Sequence, residues 1–328
     1  MRYISLAKAP VRRTFLQWIA AGLLVLPLSA KAAEPLKELR IDWATYNPVS
    51  LVLKDQKLLE KEFEKDGIAI KWVQSAGSNK ALEFLNAGSL DLGSTAGAAA
   101  LIAKINGNPI KSVYVFSRPE WTALVTKSDQ IKTVADLKGK RIAVTRGTDP
   151  HIFLVRTLAG AGLTEKDVKL VLLQHADGRT ALERGDVEAW AGLDPIMASA
   201  EVESGARLFY RKAADNTWGV LNVREEFARD YPDVVKRVLA TYEKARQWSL
   251  ANTKELSKSL IEATKLSEVV IAKQLERTEL THGPIGTTQS DTIIAAGLAL
   301  QEAGVVKADV DIKGVVKALI DPAYLPTR

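Results

Sequence analysis

Leu85-Asn86-Ala87-Gly88-Ser89-Leu90-Asp91-Leu92 returns later in the chain as Leu182-Glu183-Arg184-Gly185-Asp186-Val187-Glu188-Ala189. Each copy reads as the end of a helix, a glycine stop and a short apolar strand. Such an echo implies two similar halves. Around the first copy, Leu39 to Ala44 is a β-like run, Ser50 to Lys65 carries apolar residues at helical spacing, and Ile68 to Val73 alternates as a strand. Asn79 to Asn86 then reads as a helix, Leu90 to Gly93 as a buried strand and Gly97 to Ile105 as an alanine-rich helix. Strands alternating with helices build a mostly parallel sheet.

The second copy sits in a second series of the same kind. Val113 to Phe116 and Trp121 to Val125 are extended runs broken by Ser117, Arg118 and Pro119, where the first crossover is expected. A short helix over Ala135 to Lys140 follows, ending at Gly139, then a strand over Arg141 to Thr145 and a helix over Ile152 to Ala161 closed by Gly162. Next come strand Lys169 to Leu173, helix Arg179 to Arg184, strand Val187 to Ala191 and helix Ile196 to Glu203. The chain returns through Trp218 to Val223 and then turns helical, with Tyr231-Pro232 opening a helix over Asp233 to Leu250 that packs back on the first half. A chain of 328 residues exceeds what one core usually serves. Two α/β lobes are expected: residues 33–118 and 219–328 in the first, 119–218 in the second.

The start of the chain carries an address. Arg12-Arg13-Thr14-Phe15-Leu16 precedes an apolar run from Trp18 to Leu28 and a small-residue ending at Ala30-Lys31-Ala32. Charged start, short apolar middle and small-residue end make an export signal, cut after Ala32; the run is too short to span a bilayer. The Arg-Arg-x-Phe-Leu core resembles a twin-arginine signal, with Val11 and Gln17 departing from it. Residues 1–32 hold five basic residues and no carboxylate, so the net charge of +6 falls to +1 once they are removed. No basic run remains to attract nucleic acid or an anionic membrane. With no cysteine anywhere, disulfides, thiolate metal sites, cysteine nucleophiles and a lipid-bearing cysteine are excluded. The mature protein is expected to be periplasmic, soluble and monomeric.

Open parallel sheets bind ligands in the crevice at the C-terminal ends of their strands. Four loops fall there: Thr45 to Ser50, Ser75 to Asn79, Ser94 to Gly97 and Arg146 to His151. Each sets small hydroxyl or amide side chains at the start of a helix, where free backbone N–H groups and the positive dipole end receive an oxyanion. For any single one of Ser50, Ser78, Ser94 and Thr148, helix capping is the plain alternative. Four together point to a site.

These segments resemble the periplasmic substrate-binding proteins of ABC importers for aliphatic sulfonates, within the nitrate, sulfonate and taurine group. The resemblance covers nearly all of the mature chain. It rests on Ser50-Leu51-Val52-Leu53, on Ala87 to Thr95, on Thr133 to Lys140, on Arg146-Gly147-Thr148 and on Ala189-Trp190-Ala191 to Asp194-Pro195. It implies a type II two-lobed periplasmic binding protein fold, in which two crossover strands act as a hinge and the lobes close on a ligand for delivery to a permease in the inner membrane. It further implies a pocket made by Asn47, Ser50, Gly77-Ser78, Ser94-Thr95 and Gly147-Thr148, with Trp190 and Asp194 nearby and no cofactor. Two positions depart from it. Asp149 and Pro150 stand where many relatives carry Ser, and Leu193 where Trp is common. A carboxylate at an anion site repels unless it points away or pairs with Arg146 or Arg118. A sulfonate or sulfate ester is the expected ligand, and nitrate, taurine or a thiamine-pyrimidine precursor the alternative.

Further candidates lie beside the crossovers. Trp121 and Trp190 offer aromatic faces to a tail, whereas Trp218 reads as ordinary core packing. Arg118 offers a guanidinium to the ligand or is a solvated loop cation, and His151 stands in the first turn of a helix. Enzymes share this fold class. The three histidines, His151, His175 and His282, show no metal spacing, and neither a Gly-x-Ser-x-Gly elbow nor a dinucleotide fingerprint follows a strand. Binding without chemistry is expected. A scaffold protein would instead show short repeats, which are absent.

Overall fold

Two sheets organise residues 34–325, the part of the chain described by the computed structural model. The export segment read at residues 1–32 lies outside the described residues. The chain runs through β1 (Glu38–Trp43), β2 (Ala69–Gln74), β3 (Leu92–Ala96) and β4 (Ile110–Pro119), then β5 (Leu124–Thr126), β6 (Arg141–Val144), β7 (Lys169–Leu172), β8 (Ala189–Ala191) and β9 (Arg207–Tyr210). It returns through β10 (Gly219–Arg224) and β11 (Thr278–Glu279). The first sheet has the order β11-β4-β10-β3-β1-β2 and the second β7-β6-β8-β5-β9.

Each sheet is built on a parallel trio, β2-β1-β3 in the first and β7-β6-β8 in the second. The sequence echo marks the third strand of each. Helix Ser78–Asn86 leads through Gly88 at φ 67° into β3, and helix His175–Arg184 leads through Gly185 at φ 79° into β8. A left-handed residue at that stop suits glycine, which has no Cβ to clash. The remaining strands are antiparallel, so the sheets are mixed. Their source is the traffic between sheets: β4 leaves the first sheet and β10 re-enters beside it in the opposite sense. β9 and β11 are not among the strands read from the sequence.

The expected helix over Ser50 to Lys65 is interrupted. Pro48–Asp55 and Leu58–Phe63 are separate helices, with Lys57 at φ 51° between them. The helical C-terminal part packs on the first sheet, where helix Pro232–Ala251 buries Val235, Val238, Leu239, Tyr242 and Ala245 along one stripe. Helix Asp149–Gly160 serves two cores at once. Ile152 and Val155 enter the core of the first sheet, while Phe153, Leu154 and Leu158 enter that of the second. Among the described residues no helix is long and apolar enough to cross a membrane.

Gly219 shows how tightly the crossover is packed. A Cβ added there would lie 2.5 Å from Phe116 Cε2 and 2.8 Å from Ser117 Oγ. Gly219→Ala should therefore cost about 1–3 kcal/mol of unfolding free energy in urea denaturation, and an unchanged midpoint would contradict this packing.

Candidate functional site

Loops at the C-terminal ends of strands from both sheets converge on one cleft. Tyr46 follows β1, Ser78 follows β2, Thr148, Asp149 and Pro150 follow β6, Leu193 follows β8, and Trp121 comes from the crossover. Together they line one narrow pocket.

Two helices begin at this cleft. Gly77 precedes helix Ser78–Asn86 and has no side chain to cap it, and Thr148 precedes helix Asp149–Gly160 without a capping bond. The Thr148 hydroxyl instead donates to the Thr145 carbonyl at 2.6 Å, and the Ser78 hydroxyl accepts from the Ala96 N–H at 3.0 Å. First-turn N–H groups left without a side-chain cap are what an oxyanion requires. The loops face each other closely: a Cβ on Gly147 would come 3.9 Å from Asn79 Cβ, and one on Gly77 would meet the His175 ring at 3.0 Å. Trp121, Tyr46 and Phe116 form an aromatic wall, with Trp121 edge-on to Tyr46 at 6.2 Å and tilted to Phe116 at 6.0 Å.

The other expected contacts lie elsewhere. Asn47, Ser50, Ser94 and Thr95 are fully buried beneath the cleft and bonded to one another or to the backbone. Asn47 caps helix Pro48–Asp55 by accepting from the Ser50 N–H, and its amide donates to Ser94 Oγ and to Tyr242 Oη. Ser50 Oγ donates to the Asn47 carbonyl, and Thr95 Oγ1 accepts from Asn222. The Ser94 N–H and hydroxyl both donate to Asp42. Asp42 is buried with no cation beside it, and desolvation pushes its pKa up to about 6.

Trp190 departs from its reading. Its strand β8 lies between β6 and β5, so the indole is covered on both faces and packs beneath Gly178, with no solvent exposure and no partner for its N–H. His151 points away from the cleft to Glu165, at 2.8 Å, and burial pushes its pKa down. Arg118 is 59 % exposed; it lies over the Trp218 ring at 5.3 Å and beside Glu279 at 3.9 Å. Asp194 is buried behind Leu193, where it accepts from the Ala198 N–H and pairs with Arg277 at 3.3 Å; burial outweighs that cation and lifts its pKa to about 7.

Asp149 pairs with neither Arg146 nor Arg118, which lie beside Glu165 and Glu279. Its carboxylate accepts from the Trp121 indole N–H at 2.8 Å, the Thr217 N–H at 3.1 Å and the Thr217 hydroxyl at 2.7 Å. It thereby ties the start of helix Asp149–Gly160 to both crossovers. Tyr46 was not singled out by the sequence, although it sits in a loop that was; an aromatic just past a strand end was the available signal.

The profile of the family described as NMT1/THI5 like matches residues 62–256. A protein of Escherichia coli (strain K12) named for binding aliphatic sulfonates is 32% identical over 300 residues, which is 89% of this chain and 90% of that one. The alkanesulfonate-binding protein SsuA from Xanthomonas axonopodis pv. citri, solved bound to MOPS, superposes with a TM-score of 0.78 at 27% identity, covering 88% of this chain and 99% of the other. The periplasmic aliphatic sulphonate binding protein SsuA from Escherichia coli gives 0.71 at 28% identity over 86% and 98%.

The floor of the cleft has a pH signature. Because the folded pKa of Asp42 is raised, its contribution is intact below about pH 4 and is lost as pH rises through about 6. Relative to Asp42→Asn, which cannot ionise, the native protein should lose up to about 3 kcal/mol of unfolding free energy between pH 4 and pH 7. Denaturation curves across that range that stay parallel for the two proteins would refute the raised pKa.

Proposed function

The chain belongs to the NMT1/THI5-like family, and we propose that it is the solute-binding component of an ABC importer, capturing an organic oxyanion, a sulfonate or sulfate ester, and handing it to a membrane permease. The observation that carries this reading is the pair of helix starts without side-chain caps, at Gly77-Ser78 and Thr148-Asp149, on opposite walls of a cleft floored by Tyr46 and Trp121. Their N–H groups hold the head group, with Ser78 and Thr148 beside them, and Trp121, Pro150 and Leu193 hold the tail. The relatives named for sulfonates supply the class of head group.

In this reading the two sheets are lobes that hinge where the chain crosses between them, near Arg118 and Trp218, and the protein works as a periplasmic monomer after loss of residues 1–32. It does no chemistry. The Ser78 hydroxyl faces a backbone N–H and the Thr148 hydroxyl a carbonyl, so neither meets a general base, and Asp149 is engaged by three donors.

The test is differential scanning fluorimetry and calorimetry of the chain from Ala33 on, against short alkanesulfonates, sulfate esters, nitrate and pyrimidine precursors. A sulfonate or sulfate ester at a hundredfold excess over its Kd should add about 2.7 kcal/mol of stability and be recovered unchanged. Stabilisation by nitrate or a neutral heterocycle alone would discard the sulfonate assignment, and turnover of the ligand would discard binding without chemistry.

A further inference from the structure

Asp149 is 2% exposed and lines the cleft, yet all three donors to its carboxylate are neutral. No lysine or arginine among the described residues forms an ion pair with it. Arg156 is spent on Asp215, whose carboxylate and carbonyl it bonds at 2.9 Å, and Arg146 lies beside Glu165. A buried carboxylate without an ion-paired cation is costly, and the more distant attraction of Arg156 and the positive end of its own helix offset only part of that cost. Burial accordingly disfavours its charged form. An oxyanion arriving beside Thr148 brings a second negative charge into the same small space, which worsens the imbalance unless the ligand carries the compensating charge.

Asp149 can receive one more donor. Oδ2 already accepts two hydrogen bonds, whereas Oδ1 accepts only that of the Thr217 hydroxyl, and a carboxylate oxygen has two lone pairs. We propose that Asp149 is a specificity-determining residue, selecting zwitterionic sulfonates, in which an ammonium stands a few bonds from the head group, over plain alkanesulfonates. This rests on the oxyanion reading above and names the ligand class within it. The ammonium donates to Asp149 Oδ1, the sulfonate takes the helix N–H groups, and the short chain between them lies on Trp121 and Leu193.

The experiment is isothermal titration of the mature protein with 2-aminoethanesulfonate and with propane-1-sulfonate, which differ by an ammonium in place of a methyl group, repeated with Asp149→Asn. The variant is nearly isosteric. Its amide oxygen can still accept from Trp121 and the Thr217 N–H, while its NH₂ donates to the Thr217 hydroxyl, and its unfolding midpoint reports whether the fold is kept. The native protein should bind the aminosulfonate at least about tenfold more tightly, and Asp149→Asn should lose that preference while holding propane-1-sulfonate as well or better. Equal affinities in the native protein, or a preference that survives in a folded variant, would overturn the role of Asp149 and leave the sulfonate reading standing. Binding of neither sulfonate would overturn both.

Discussion

One helix packs into both cores where the two sheets meet. Asp149–Gly160 presents Ile152 and Val155 to the first core and Phe153, Leu154 and Leu158 to the second, so it cannot turn without opening one of them. Protein interiors resist such voids. Its first residue carries the same constraint in polar form: Asp149 holds Trp121 from one crossover and Thr217 from the other, and the Thr217 hydroxyl in turn accepts from the Ala98 N–H at the start of helix Gly97–Ile105. Helix start, both crossovers and a helix of the first sheet thus meet within one hydrogen-bonded chain, and the cleft lies beside it.

Beneath the cleft, the polar residues of the strand-end loops are occupied with one another. Asn47, Ser94 and Asp42 satisfy one another, and the Tyr46 hydroxyl donates to the Ser94 carbonyl at 3.0 Å. The floor is rigid because every one of these groups is buried and engaged, and buried polar groups are expensive to release. The cost appears in the raised pKa of Asp42, a carboxylate stabilised by hydrogen bonds alone.

Much of this was legible in the residues. The echo at Gly88 and Gly185 marked the third strand of each parallel trio because a left-handed stop before a strand suits glycine, and a cleft lies where parallel strands end. Side-chain roles were harder to read, because a small hydroxyl in a strand-end loop looks the same whether it faces the ligand or the loop itself. Ser78 and Thr148 reach the cleft wall, whereas Ser50, Ser94, Asn47 and Thr95 turn inward. Trp190 failed for a different reason: strand order, invisible in the sequence, puts β8 in the middle of its sheet. Trp121 lies in a crossover, outside any sheet interior, and so lines the cleft.

The two halves use equivalent positions unequally, and the site arises from that inequality. After β1 the helix start is closed by Asn47, while after β6, the matching strand of the other trio, Thr148 makes no cap. After β2 the start at Gly77 bears no side chain, and after β7 the matching place is filled by His175, whose imidazole is buried against Gly77 with its pKa pushed down to about 3. Of these four helix starts only the one after β1 has a side-chain cap, and His175 closes the start after β7 by packing its ring against Gly77. Similar strand-end turns thus carry different side chains in the two sheets, and those after β2 and β6 line the cleft.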